Sequence, residues 1–234
     1  MPPKIPLVEA EKESLNRGLH LDRDTAQRAI AIDFEGPAGR TPKAPPPASD
    51  YLGWRIGHRG KLNGRILNPK LHFLANSDRD FSRYVDAGTL VETCGELVDM
   101  AHAESRVLLH FSAHEIRVLA RHLPAADFKR CRPLLVDGRK LIKKHLKKTR
   151  PGYLVDIDFK LETAAEILCP KLRAGQPSVG VGRTLRELRQ WSTARNRPRI
   201  SNLGPSLRRR WFDLLEYNFY DLKMLHRCSI KAAK

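Results

Sequence analysis

The stretch Ala29-Ile30-Ala31-Ile32-Asp33-Phe34-Glu35-Gly36 constrains the fold more than any other part of the chain. Its apolar opening reads as a buried strand, and the acids fall at its C-terminal end. Residues two apart on a strand point the same way, so the Asp33 and Glu35 carboxylates can meet one site at the end of a sheet. Two like charges there need a cation, and hard oxygen donors suit Mg²⁺ or Mn²⁺. An exposed strand end with solvated acids also accounts for the pair, since so short a motif recurs by chance.

The pattern after this strand is that of an α/β domain. A Pro-containing stretch at 37–50 excludes regular structure. Tyr51 to Leu74 alternates apolar residues with glycines, as in a meander of two or three antiparallel strands. Helical spacing follows over Gly88–Glu104, then a short strand at Val107-Leu108-Leu109 and, after His110–Glu115, helical spacing again through Ile116, Leu119 and Leu123. Pro133 to Asp137 is another short apolar run and Arg139 to Lys148 a basic helix. Thr163–Leu168 and Thr184–Trp191 read as helices, and a final helix or helix pair covers about Leu207 to Lys231. This order implies a mixed central β-sheet flanked by helices, one domain over 27–234. Residues 1–26 are polar without a clear period and are expected to be a flexible or loosely packed segment.

Charge narrows the partner. Lys and Arg number 43 against 26 Asp and Glu, a formal net charge of +17. A polyanion is expected, and nucleic acid outranks a membrane surface because no strongly apolar amphipathic face accompanies the cations. The segment Arg139–Arg150 is the densest basic run; Lys140, Lys143, Lys144, Lys147 and Lys148 are candidate phosphate contacts, with Arg208 and Arg209 in a later cluster. A second basic region holds Arg183, Arg186, Arg189, Arg195, Arg197 and Arg199. Of Trp54, Trp191 and Trp211, which can stack on bases, at least two are expected in the core. Cys94, Cys131, Cys169 and Cys228 form no CxxC pair, so reduced, mostly buried thiols are expected rather than a zinc or disulfide framework. With no apolar signal core or 20-residue span, the chain reads as soluble and cytoplasmic.

Other acids can join the first pair. Tyr217 and Asp221 stand i and i+4 on the last helix, so a phenol and a carboxylate can reach one point, the phenol to orient a water and the carboxylate to hold a metal. A half-buried tyrosine beside a solvated acid fits the same spacing. Glu115 starts a helix, where capping alone explains a carboxylate, and Asp137 ends an apolar run.

The order of IDFEG at 32–36, LLHFSAHEIRVL at 108–119, DFKLETAAEIL at 158–168 and EYNFYDLKML at 216–225 resembles the motif series of the DEDD 3′–5′ exonucleases of the ribonuclease H-like superfamily. The similarity covers about 28–231 and is nearest the Tyr-containing subclass, in the bacterial branch grouped with RecB-type nucleases. In the His-containing subclass a His lies five positions before the last Asp, where this chain has Glu216.

The resemblance implies a ribonuclease H-like fold and two-metal hydrolysis of DNA or RNA phosphodiesters. Asp33 would bridge two Mg²⁺ or Mn²⁺ ions, Glu35 and Asp221 would complete the shell, and Tyr217 would position the water. Glu115 stands where the family has Asp, one methylene longer. Lys160 to Ala164 resembles a helix start with a scaffold role. His110, His114 and His226 are expected to pack, lie at the surface or contact phosphate.

Two rivals stay open. Asp137 with Asp158 and Lys160 would suit a PD-(D/E)xK-type nuclease, and a catalytically weak nucleic-acid-binding subunit on a nuclease-like scaffold would keep the basic surface without cleavage.

Overall fold

A computed structural model describes residues 7–36, 47–57, 59–75, 85–150, 159–173 and 180–233. Most of the Pro-containing stretch and Asp158 lie outside these residues. Two helices, α1 (Leu7–Leu19) and α2 (Arg23–Arg28), precede the first strand, β1 (Ile30–Glu35). Next come β2 (Tyr51–Ile56), β3 (Leu62–Ile66), a 3₁₀ turn over Pro69–Leu74, β4 (Val85–Ala87) and α3 (Leu90–Ala103). The centre of the chain supplies β5 (Leu108–His110), α4 (Ala113–His122), α5 (Ala125–Cys131), β6 (Leu135–Asp137) and α6 (Gly138–Thr149). The remaining helices are α7 (Leu161–Leu168), α8 (Pro170–Arg173), α9 (Val181–Thr193) and the long α10 (Pro205–Ala232).

The sheet is mixed, in the order β4-β3-β2-β1-β5-β6. β1, β2 and β3 are an antiparallel meander, whereas β5 pairs parallel to β1 and β6 parallel to β5. Alternation along β1 divides its side chains between two faces. Ile30, Ile32 and Phe34 join Leu52 and Trp54 in a core closed by Cys94, Leu97 and Val98 of α3, Ile116 and Leu119 of α4, and Phe128 of α5. The other face carries Ala31, Asp33 and Glu35, and α10 crosses it, in contact with β1 and β2 as well as α6, α7 and α9.

The close approach of α10 follows from what its neighbours lack. Asp33 is paired across the ladder with Gly53, and Gly53 with Gly64, so the strip beside the acids carries no side chains on β2 and β3. Tyr51 folds over Gly64, and Asn218 of α10 occupies the space over Gly53. Trp211, Leu214, Leu215, Leu222 and Leu225 are buried along α10, and the Trp211 ring meets Tyr51 edge to face at 6.1 Å. Trp54 and Trp211 are core residues, while Trp191 is half-buried against Phe73 at 5.4 Å.

The expected loosely packed segment over 1–26 is corrected over its described part. α1 packs on β6, α4 and α6, and so covers the edge strand of the sheet, whose free backbone groups otherwise invite pairing with another chain. Its buried positions, Ala10, Ser14 and Gly18, follow helical spacing but are too small or polar to announce an apolar stripe. At Gly18 a Cβ would stand 1.9 Å from the Asp137 carbonyl oxygen, so only glycine permits this approach. Arg17 clamps the contact, donating from Nε to the Leu135 carbonyl and from Nη2 to that of Arg132, both at 2.8 Å. The final helical region is one helix, and the last part of the expected meander is the 3₁₀ turn. All four cysteines are free and buried. No helix among the described residues is long and apolar enough to cross a membrane.

Candidate metal centre

Asp33 and Glu35 come from β1 and Asp221 from α10, near the opposite end of the chain. One carboxylate oxygen of each lies within 4.8 Å of the other two. Their side chains are half-buried. Asn218, one turn before Asp221 and fully buried, stands between the acids of β1. Its Nδ2 donates to Asp33 Oδ2 at 2.7 Å and reaches Glu35 Oε1 at 3.4 Å. The reverse amide orientation would turn an oxygen toward two carboxylates, so electrostatics fixes this one.

The charges crowd one another. Burial, followed by the neighbouring carboxylates of Glu35, Asp221 and Glu115, pushes Asp33 well above the ordinary carboxylate range, against the Asn218 hydrogen bond. Burial, opposed by the Asn218 amide and assisted by Glu115, raises Glu35 to about 7. Such a group of hard oxygens, short of positive charge, fits Mg²⁺ or Mn²⁺.

A cavity of about 530 Å³ opens on this centre. Asp33, Glu115, Tyr217 and Asp221 line it with Arg139 and Lys160, and Phe111 and Phe159 are among its apolar lining. These two rings are 6.0 Å apart. Tyr217 hydrogen-bonds Asp221; burial and then that acid's charge raise the phenol above its usual value, so it stays protonated.

Glu115 is 5% exposed and lies outside the close trio. Its Oε2 accepts from the Ser112 hydroxyl at 2.9 Å and the Ser112 backbone at 3.2 Å, while the Ser112 hydroxyl accepts from the His114 amide. This is a capping box at the start of α4, and burial raises the acid to about 7. Asp137 caps α6 by accepting from the Arg139 amide at 2.7 Å and is absent from the cavity lining. His110 is buried between Ser14 Oγ at 2.8 Å and the Ser112 carbonyl at 2.7 Å, and burial drops it to about 4, so it is neutral. His226 is buried too, its Nε2 3.0 Å from the Ala29 carbonyl oxygen.

Of the proposed phosphate contacts, Lys140, Lys144, Lys147 and Lys148 are exposed on α6, and Lys143 is half-buried with its ammonium 5.3 Å from the Phe159 ring centre. Arg208 and Arg209 are exposed near the start of α10, with Arg209 4.0 Å from Asp213. The acids of both ends were visible in the sequence; the roles of Asn218 and Gly53 were not. Asn218 carried one signal, its i, i+3 relation to Asp221, whereas Gly53 gains meaning only from the β1–β2 register. Comparison with protein-family models, with curated proteins and with solved structures finds no match to this chain.

Proposed function

We propose that the protein is a divalent-metal-dependent phosphodiesterase acting on DNA or RNA, a 3′–5′ exonuclease of the DEDD type on a ribonuclease H-like domain. The convergence of Asp33, Glu35 and Asp221 within 4.8 Å, from β1 and α10, carries this reading. The antiparallel β1–β3 meander continued by parallel β5 and β6 supports the fold assignment, and the net charge of +17 supports a polyanionic substrate.

Asp33, Glu35 and Asp221 would hold two Mg²⁺ or Mn²⁺ ions, which when bound supply a more acidic water and neutralise charge at the phosphoryl oxygens. Asn218 holds the β1 carboxylates in place from behind. Tyr217, protonated and tied to Asp221, presents its hydroxyl to orient a water. Arg139 and Lys160 offer positive charge to phosphate, and Phe111 and Phe159 give the cavity an apolar side against which a base can stack. Glu115 acts on the centre through its charge and shapes the cavity through the α4 cap.

Digestion of end-labelled single- and double-stranded DNA and RNA with Mg²⁺ or Mn²⁺ tests the proposal. Stepwise shortening from the 3′ end is expected, and it should vanish in chelator and in the Asp33→Asn/Asp221→Asn variant. Undiminished activity in that variant would refute the assignment of the site.

A further inference from the structure

The end of the sheet that carries Glu35 has a second concavity. A cavity of about 500 Å³ lies between the Pro69–Leu74 turn and α9, lined by Lys70, Arg186, Arg189, Gln190, Thr193 and Ala194. Three of these six residues are cations and none is an acid. Asp50 ties the cavity to the metal centre: its backbone amide donates to the Glu35 carbonyl at 2.9 Å and its Oδ2 lies 3.4 Å from Arg189 Nη1. Asn68 completes the tie, donating to Asp50 Oδ1 at 2.6 Å and accepting the Lys70 amide at 3.1 Å. The buried Asp50 therefore fixes both walls of the concavity relative to the strand that bears the catalytic acids.

Several cations close to this patch are already matched to acids. Arg183 and Arg210 share Glu187, and Arg209 faces Asp213. Exposed Lys70 and Arg186 have no acid within ion-pair reach among the described residues. The carbonyl end of α9, which would repel an anion, is partly satisfied: the Gln190 and Ser192 carbonyls accept from the Ala194 and Arg195 amides, and that of Trp191 from Arg195 Nη1 at 3.1 Å.

We propose that this concavity is a phosphate-contact site for a nucleic-acid strand, engaging the sugar-phosphate backbone away from the bond at the metal centre. The inference rests on the nucleic-acid reading above. Lys70 and Arg186 make the contacts, and Arg189, anchored by Asp50, adds charge behind them.

The test is the salt dependence of binding of a 5′-fluorescein-labelled 20-nucleotide thymidine strand, followed by anisotropy in EDTA from 25 to 200 mM NaCl. Each phosphate contact to a single strand contributes about 0.7 to the slope of log affinity against log salt, so Lys70→Ala/Arg186→Ala should lower its magnitude by about 1.4. Arg121→Ala/Lys129→Ala, on the α4 and α5 helices that cover the opposite face, should leave it unchanged. Equal slopes for the Lys70/Arg186 variant and the wild type, or no measurable binding by the wild type, would overturn the inference. Mn²⁺-dependent cleavage of bis(4-nitrophenyl) phosphate by the wild type reads the metal centre alone. Its absence beside a lowered slope removes the hydrolase and keeps the phosphate-contact site; its presence beside equal slopes does the reverse.

Discussion

Gly53→Ala probes the contact on which the proposed metal centre is built. An added Cβ would stand 1.8 Å from Asn218 Oδ1 and 2.8 Å from its Cγ, far inside ordinary contact. The helix has little room to retreat, because Trp211, Leu214, Leu215, Leu222 and Leu225 are buried along it. The amide must therefore rotate away and give up its hydrogen bonds to Asp33 and Glu35. Overpacking of this kind costs about 1–3 kcal/mol, or about 2–4 °C in melting temperature per kcal/mol for a chain of this size. Urea unfolding in chelator measures the loss. Removing the obstructing side chain should cancel most of it, so Gly53→Ala/Asn218→Ala should be little worse than Asn218→Ala alone. The coupling between the sites should then be about 0.5–3 kcal/mol in the favourable direction. Additivity within about 0.5 kcal/mol would refute the proposed contact. As Asn218 holds two carboxylates of the proposed centre, either single variant should also weaken Mn²⁺ binding about 10- to 100-fold by calorimetry.

Three further outcomes are expected. Asp33→Asn/Asp221→Asn should lose more than about 100-fold of Mn²⁺-dependent nuclease activity while keeping its fold by circular dichroism, because these oxygens have no substitute in the trio. In chelator, melting temperature should fall as pH rises from about 4.5 to about 7. Glu35 and Glu115 hold their protons up to about 7 in the folded chain, whereas the unfolded chain has already released them, so the folded state is favoured on the acid side of this window. Mn²⁺ affinity should rise over the same window as the competing protons leave, and a flat melting profile would contradict the burial of these acids. Glu115→Gln keeps an oxygen for the Ser112 cap, so in chelator at pH 8 it should stabilise the protein by up to about 3 kcal/mol, the equivalent of a shift from 4.5 to about 7. It should weaken Mn²⁺ binding far less than Asp33→Asn, since Glu115 lies outside the trio.

The parts of the fold legible in the sequence are those that bury large apolar residues at one period. β1 announces itself through Ile30 and Ile32, and α10 through Trp211, Leu214, Leu215, Leu222 and Leu225. α1 was not legible because it packs through Ala10, Ser14 and Gly18, residues chosen for closeness rather than apolar area. β4 is three residues long and buries only Val85. At the site, each carboxylate had a local signal, because strand alternation and helical spacing are properties of a few adjacent residues. The support beneath them had none: that Gly53 lies opposite Asp33, and that Asn218 fills the gap, depends on a ladder register and on a helix more than 160 positions away in the chain.

This division has an energetic counterpart. The empty strip at Gly53 and Gly64 draws α10 close enough to bring Asp221 beside Asp33 and Glu35, and the packing of its apolar face offsets the mutual repulsion of the acids. The repulsion is not removed but stored, in a Glu35 carboxyl that keeps its proton to about 7 and an Asp33 carboxyl held well above its ordinary range. A divalent cation bound there, as proposed, would release it, and folding and metal affinity would then be linked through the same oxygens. At a hundred times its dissociation constant the ion should add about 2.7 kcal/mol of stability. Weakening the packing of α10 by Leu222→Ala should then lower metal affinity even though Leu222 offers no ligand atom, and unchanged affinity in that variant would separate the helix's packing from the centre it positions.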